Sequence, residues 1–219
     1  MRLNKYIAQA TGLSRRAADN AITQGRVGIN GVVAAMGQGV TEHDQVTLDK
    51  APITPPVNSL TIALNKPVGF VCSRDGQGSQ TIYDLLPSNM HHLKPVGRLD
   101  KDSSGLLLMT TDGQLAFELT HPKFQKTKVY KIALNKPLDL DHQRMISQGI
   151  VLEDGLSRLV LEPVSHTDAL NWKVTMHEGR NRQIRRTLES LGYNVVKLHR
   201  TAFGTYILSN LGIGKHKTV

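Results

Sequence analysis

Cysteine is nearly missing from this 219-residue chain: Cys72 stands alone, so no internal disulfide can form. A reducing, cytoplasmic setting is expected. Long apolar runs are missing too. The longest, Leu106-Leu107-Leu108-Met109, is far short of the ~18 residues a membrane helix needs, so no membrane association is expected. No apolar segment follows the charges of Met1-Arg2-Leu3-Asn4-Lys5-Tyr6, so no secretory signal is expected. Aromatic residues make up only 5 % of the chain. A binder of unstructured single strands stacks bases on several aromatic platforms, and this chain has few to spare. Acidic residues also run short, 18 against 27 basic, which leaves a net charge of +9. A field of that sign concentrates polyanions. Together, few aromatics and a positive charge point to a protein that reads folded RNA by shape and phosphate.

The chain reads as α+β in two domains. Residues 1–48 form the first, a small unit of helices plus short strands. Leu3, Ile7 and Ala10 recur at helical spacing and Gly12 ends that helix. Ser14 caps a second helix over 15–24, which Gly25 stops. Asn30-Gly31 between Val27-Gly28-Ile29 and Val32-Val33 predicts a hairpin. A strand at Val46-Thr47-Leu48 closes the unit. Residues 49–59 carry three prolines and no periodicity, as a linker does. Residues 60–219 form the second domain. Strands are expected at 61–65, 106–110, 128–134, 158–161, 172–176 and 195–199. Helices are expected at 114–120 behind an Asp112 cap, at 141–148, and at 181–191 with Asn181 as cap. The irregular intervals predict a mixed, largely antiparallel sheet flanked by helices. Ile-Ala-Leu-Asn-Lys-Pro occurs twice, at 62–67 and 132–137, and reads as two strands ending in similar turns.

The segment with most chemistry is Gly97-Arg98-Leu99-Asp100-Lys101-Asp102-Ser103-Ser104-Gly105-Leu106-Leu107-Leu108-Met109. It hangs a carboxylate on a small-residue loop before an apolar strand, rigid yet able to reach a ligand. A second segment, Glu178-Gly179-Arg180-Asn181-Arg182-Gln183-Ile184-Arg185-Arg186, sets arginines around a helix whose buried stripe is Ile184, Leu188 and Leu191. A third, Lys126-Thr127-Lys128-Val129-Tyr130-Lys131-Ile132, places Tyr130 on a strand among lysines. Other patterns carry less. Asp75-Gly76-Gln77-Gly78 lacks the third glycine of a dinucleotide loop. Neither His91-His92 nor Asp100-Lys101-Asp102 has companion metal ligands, so no metal is expected.

These segments resemble the RsuA-type ribosomal RNA pseudouridine synthases, whose motif begins Gly-Arg-Leu-Asp. The first 48 residues resemble the S4 RNA-binding domain through Arg2-Leu3-Asn4-Lys5-Tyr6-Ile7-Ala8, Ser14-Arg15-Arg16-Ala17-Ala18 and Gly25-Arg26-Val27-Gly28-Ile29-Asn30-Gly31. The resemblance covers nearly the whole chain, including Lys197-Leu198-His199-Arg200-Thr201-Ala202-Phe203-Gly204. Ser103 stands where the family often has threonine, and the tail from Gly214 departs from the family's aromatic, acidic ending. The resemblance implies isomerisation of a specific uridine to pseudouridine in ribosomal RNA, on the large-subunit (23S) branch. It implies Asp100 as nucleophile, Tyr130 against the uracil, and Arg185 paired with Asp100. RNA contacts would come from Arg2, Lys5, Arg15, Arg16, Arg26, Arg98, Lys126, Lys128, Arg182, Arg186 and Arg200. No cofactor is needed, since no redox step occurs and no group enters. The partner would be a folded rRNA stem-loop or a ribosome assembly intermediate, bound by a monomer. The rivals are a small-subunit or tRNA synthase of the same fold and a non-catalytic S4 ribosome-binding protein. Asp100, Tyr130 and Arg185 together speak for the enzyme.

Overall fold

The computed structural model describes residues 1–55, 58–165 and 167–219. The chain divides into two units, Met1–Leu60 and Thr61–Val219.

In the first unit, α1 (Leu3–Thr11) ends at Gly12, whose φ of 77° is the left-handed value glycine tolerates. Ser14 accepts a bond from the Ala17 N–H (3.0 Å) and opens α2 (Arg15–Thr23). β1 (Val27–Ile29) and β2 (Val32–Val33) meet across Asn30-Gly31, where both φ angles are positive, as a two-residue hairpin turn requires. β3 (Val46–Leu48) pairs with the other edge of β1. Leu3, Ile7, Ala18, Ile22, Val27 and Val46 make the core.

The expected linker at 49–59 needs correction. Its first part is β4 (Ala51–Pro52), an edge strand antiparallel to β3. Ile53 then packs on the core and accepts a hydrogen bond at its carbonyl from the Tyr6 hydroxyl (3.2 Å). The turn is Asp49-Lys50, again with two positive φ angles, 51° and 66°. Lysine there is not a usual signature of this turn, so the hairpin was hidden. Pro56 and Val57 of the same stretch lie outside the described residues.

The second unit runs β5 (Thr61–Lys66), β6 (Lys94–Pro95), β7 (Ser104–Thr110), α3 (Gly113–Thr120), β8 (Lys128–Leu134), α4 (Leu140–Gln148), β9 (Ile150–Leu152), β10 (Gly155–Ser157), β11 (Val160–Ser165), β12 (Asp168–Met176), α5 (Gln183–Glu189), β13 (Val195–Phe203), β14 (Tyr206–Ile207) and β15 (His216–Thr218). The main sheet has the order β11-β12-β8-β13-β7-β5-β15, with β14 on β13 and β6 on β7. Within it, β13 and β7 pair in parallel and the other neighbours are antiparallel. It is the mixed, largely antiparallel sheet expected. β5 and β7 are buried along nearly their whole length, which is why their centres, Ile62-Ala63-Leu64 and Leu106-Leu107-Leu108-Met109, read as apolar runs.

Three local expectations change. The strand at 158–161 is interrupted: Arg158 and Leu159 bridge β10, half of a hairpin with β9, to β11. The helix expected over 181–191 spans only Gln183–Glu189, and Asn181 does not cap it. Arg182 holds that place with φ of 47° and no side-chain cap bond. The tail contributes β15, which closes the β5 edge.

Candidate active site

β7 and β13 meet at an unusually close point. Gly105 has φ of 104°, and a Cβ there would lie 2.3 Å from the Arg200 carbonyl oxygen and 2.6 Å from its nitrogen. No other residue type fits. The register of β13 on β8 shifts between Arg200 and Ala202. That bulge puts Phe203 and Arg200 on the face that carries Tyr130 and Lys128.

A cavity of about 290 Å³ opens on this face. Asp100, Tyr130, Arg185, Arg98, Lys128, Arg182 and Arg200 all line it. The loop bearing Asp100 is tied from below. Lys66, with no solvent exposure, donates from Nζ to the carbonyls of Ser103 (2.7 Å), Asp100 (2.9 Å) and Pro67 (3.1 Å). Burial pushes its ammonium below the ordinary lysine range, partly offset by Cys72, Asp100 and Asp102. Cys72 Sγ accepts from the Leu99 N–H and donates to the Leu99 carbonyl. Burial raises its thiol pKa. The Gly69 N–H donates to the Lys101 carbonyl (2.7 Å). Neither Lys66 nor Cys72 was foreseen. The sequence held no distinguishing signal for Lys66, since Lys136 precedes Pro137 in an identical hexapeptide.

The pairing of Arg185 with Asp100 is not formed. Arg185 Nη2 lies 3.2 Å from Asp102 Oδ2 and donates to the Asp102 carbonyl, while Nη1 donates to the Val195 carbonyl. The arginine within ion-pair range of Asp100 is Arg182, at 3.8 Å, and it also contacts Asp102 at 3.2 Å. The left-handed backbone at Arg182 aims its side chain there; a helix beginning at Asn181 would turn it elsewhere. Gln183 braces this turn. Buried, it donates to Ser157 Oγ and Glu178 Oε1 and accepts from the Arg180 N–H. Arg180 in turn binds Asp154 and the carbonyls of Gly155 and Leu156.

Other expected RNA contacts divide by availability. Arg15 and Arg16 are exposed at the start of α2, and Arg2 is exposed beside α1. Lys5 is half-buried on α1. Arg98 is exposed at the cavity. Three arginines are otherwise engaged. Arg26 forks onto Asp49 at 2.7 and 2.6 Å. Arg186 is bound to Asp154 (2.6 Å) and the Asn181 carbonyl. Arg200 is 2 % exposed, so it reaches no outer RNA surface. Lys128 also points inward: its Nζ donates to the Glu178 carbonyl. Burial, with the Arg200 charge adding, lowers its pKa, and Glu178 opposes the shift. Lys126 lies at a separate depression with Glu118, Gln125 and Tyr206. Among the described residues, no group of three or more His, Cys, Asp or Glu side chains could hold a metal ion, and no helix is long and apolar enough to cross a membrane.

A family model described as RNA pseudouridylate synthase matches residues 60–190, and an S4 domain model matches residues 1–46. The chain belongs to the RNA pseudouridylate synthase family. Ribosomal large subunit pseudouridine synthase B of Bacillus subtilis is 38 % identical over 225 residues, covering 97 % of this chain and 89 % of that protein. Ribosomal small subunit pseudouridine synthase A of Haemophilus influenzae is 34 % identical over 210 residues, covering 95 % and 90 %. The Xylella fastidiosa large-subunit synthases B are 36 % identical over 94 % of this chain, which spans only 46 % of their length. A crystal structure of a pseudouridylate synthase superposes with a TM-score of 0.72 at 33 % identity, covering all of this chain and 96 % of the other.

Proposed function

We propose that the protein converts a uridine of ribosomal RNA to pseudouridine, with Asp100 as the nucleophile. The observation that carries this is the convergence on one cavity of a carboxylate, a tyrosine and several cations. The reaction breaks the C1′–N1 bond, turns the uracil and joins C5 to C1′. It needs an ionised carboxylate, a group that relays a proton, and walls that hold a detached base. The Arg182 guanidinium lies 3.8 Å from the Asp100 carboxylate and faces its negative charge. Tyr130 is 7 % exposed and lines the cavity, so its ring is available to pack on the uracil. Its hydroxyl relays the proton. Arg185 holds the Asp102 end of the same loop.

The substrate is large-subunit rRNA, the class for which the Bacillus and Xylella relatives are named; the Haemophilus relative, a small-subunit synthase, supports small-subunit rRNA as the second reading. The S4 unit adds affinity through Arg15 and Arg16, whose charges reinforce a helix N-terminus that already attracts phosphate. Arg98 and Arg182 hold the flipped nucleotide's backbone at the cavity mouth. Arg2, Lys5 and Lys126 add weaker contacts. The protein acts as a monomer. The enzyme works in the cytoplasm on a folded segment or assembly intermediate, without metal or cofactor.

The test is Asp100→Asn. The amide is nearly isosteric and a far poorer nucleophile. It should abolish pseudouridine formation while RNA affinity holds. Turnover within tenfold of wild type would sink the mechanism.

A further inference from the structure

Two cations of the cavity lining, Arg200 and Lys128, are outside every ion pair among the described residues. Arg200 is 2 % exposed. Its Nε donates to the Leu106 carbonyl (2.7 Å), and its Nη2 is buried without a hydrogen-bond partner among the described residues. Its guanidinium lies 4.9 Å from the centre of the Phe203 ring, and Lys128 Nζ lies 5.2 Å from the same ring. Neither cation forms an ion pair among the described residues. Buried donors are ordinarily satisfied, and buried charges are ordinarily paired. This arrangement is not loose packing. Gly105 and the β13 bulge bring the Arg200 backbone into contact with β7 and turn the side chain inward. A fold that spends a glycine and a bulge to place an unpaired guanidinium is built for an anion that arrives.

We propose that Arg200 takes up the negative charge that develops on the uracil when its glycosidic bond breaks. This rests on the reading of the cavity as a uridine-isomerising site. In the step concerned, an Asp100 oxygen bonds to C1′ as the C1′–N1 bond breaks, and the electron pair leaves on the base. The resulting uracil anion spreads its charge over N1, O2 and O4. After the base turns, C5 bonds to C1′ and the carboxylate leaves. The C5 proton is then lost and N1 gains one, so the atoms balance. The Arg200 guanidinium, which lines the cavity, donates to a uracil carbonyl oxygen while the base carries charge. A bond that is strong only then lowers the barrier rather than tightening the ground state. Lys128, held over the same ring, adds to the positive potential.

A backbone phosphate is the competing anion, and the burial of Arg200 argues against it. Phosphates stay with the strand at the mouth, where Arg98 and Arg182 are exposed or half-exposed. A 290 Å³ cavity is near the small end of ligand pockets, the scale of a base with its sugar.

The experiment uses full-length enzyme in excess over unmodified large-subunit rRNA carrying tritium at uridine C5. Tritium release under single turnover reports the chemistry, and titration gives the RNA Kd and its salt slope. Arg200→Gln should slow release by about 10²–10³, as removal of one oxyanion donor does, with Kd and salt slope unchanged. Arg200→Lys keeps a cation but loses the fork, so it should recover much of that and fall about tenfold short of wild type. Release by folded Arg200→Gln within about fivefold of wild type overturns the proposal. So does a loss explained by weaker RNA binding with a shallower salt slope, which marks a phosphate contact. If Arg200→Gln does not fold, Arg200→Lys decides: a wild-type rate overturns the assignment. Failure of the wild type to release any tritium from large- or small-subunit rRNA labelled in the same way would instead overturn the pseudouridine reading itself.

Discussion

Replacing Lys66 with methionine tests what positions the Asp100 loop. The two side chains are similar in length, so little cavity opens. What is removed is one buried ammonium serving three carbonyls. The Asp100 carbonyl keeps a second donor, the Ser103 N–H at 3.1 Å. The Ser103 and Pro67 carbonyls lose their ammonium donor, at about 1–3 kcal/mol each for a buried unsatisfied group. Against this stands relief of the burial penalty that lowers the Lys66 pKa. The balance is a destabilisation of about 2–4 kcal/mol. Urea unfolding followed by circular dichroism should show a lower midpoint at an unchanged slope. Pseudouridine formation should fall further than the unfolded fraction explains, because the loop between Gly97 and Ser103 loosens. The pH dependence gives a second check. The folded pKa of Lys66 lies below the 10.5 of an unfolded lysine. Between those two values the unfolded chain holds more protons, so stability rises with pH across that window. The penalty of burying the charge is fully present below the folded value and fades above it. The wild type should therefore gain on Lys66→Met as the pH climbs toward 10.5. A variant as stable as wild type within about 0.5 kcal/mol, equally active and with no such trend, would refute the reasoning.

Arg182→Ala should fold within about 1 kcal/mol of wild type, since its ion pairs are half-exposed, yet lose turnover. Arg185→Ala, only 12 % exposed and bonded to the Val195 and Asp102 carbonyls, should lose about 1–3 kcal/mol of stability as well as turnover; paired melting and activity measurements would expose the reverse pattern. Gly105→Ala should cost about 3–5 kcal/mol through its left-handed backbone and the clash with Arg200, read as a fall in Tm, and a wild-type Tm would show that β7 and β13 can part cheaply. Arg15→Gln with Arg16→Gln should leave the fold intact and lower the salt slope of RNA binding by about 0.7–0.9 for each phosphate no longer neutralised; an unchanged slope would remove these residues from the interface.

Local rules carried much of this protein. Ser14, Gly12, Asn30-Gly31 and Asp112 set caps and a turn whose geometry depends on neighbours in the chain, and each acts as its residue type dictates. The buried strands were legible because their centres are apolar, and Asp100 and Tyr130, which line one cavity, drew attention because their segments resemble a family. Pairing of charges was not legible. Which arginine meets Asp100 depends on the left-handed turn at Arg182 and on where β13 offers the Val195 carbonyl to Arg185. The repeated hexapeptide shows the division most plainly. Ile62–Pro67 and Ile132–Pro137 are identical, and both begin as strands. Lys66 nevertheless ends fully buried under the Asp100 loop, while Lys136 ends exposed over the Tyr193 ring. Backbone conformation followed the apolar Ile-Ala-Leu of each copy and no further, since β5 runs on through Lys66 while β8 ends at Leu134. The fate of the lysine followed from which carbonyls the rest of the chain brought to it, because a buried ammonium is tolerated only where distant segments supply its acceptors.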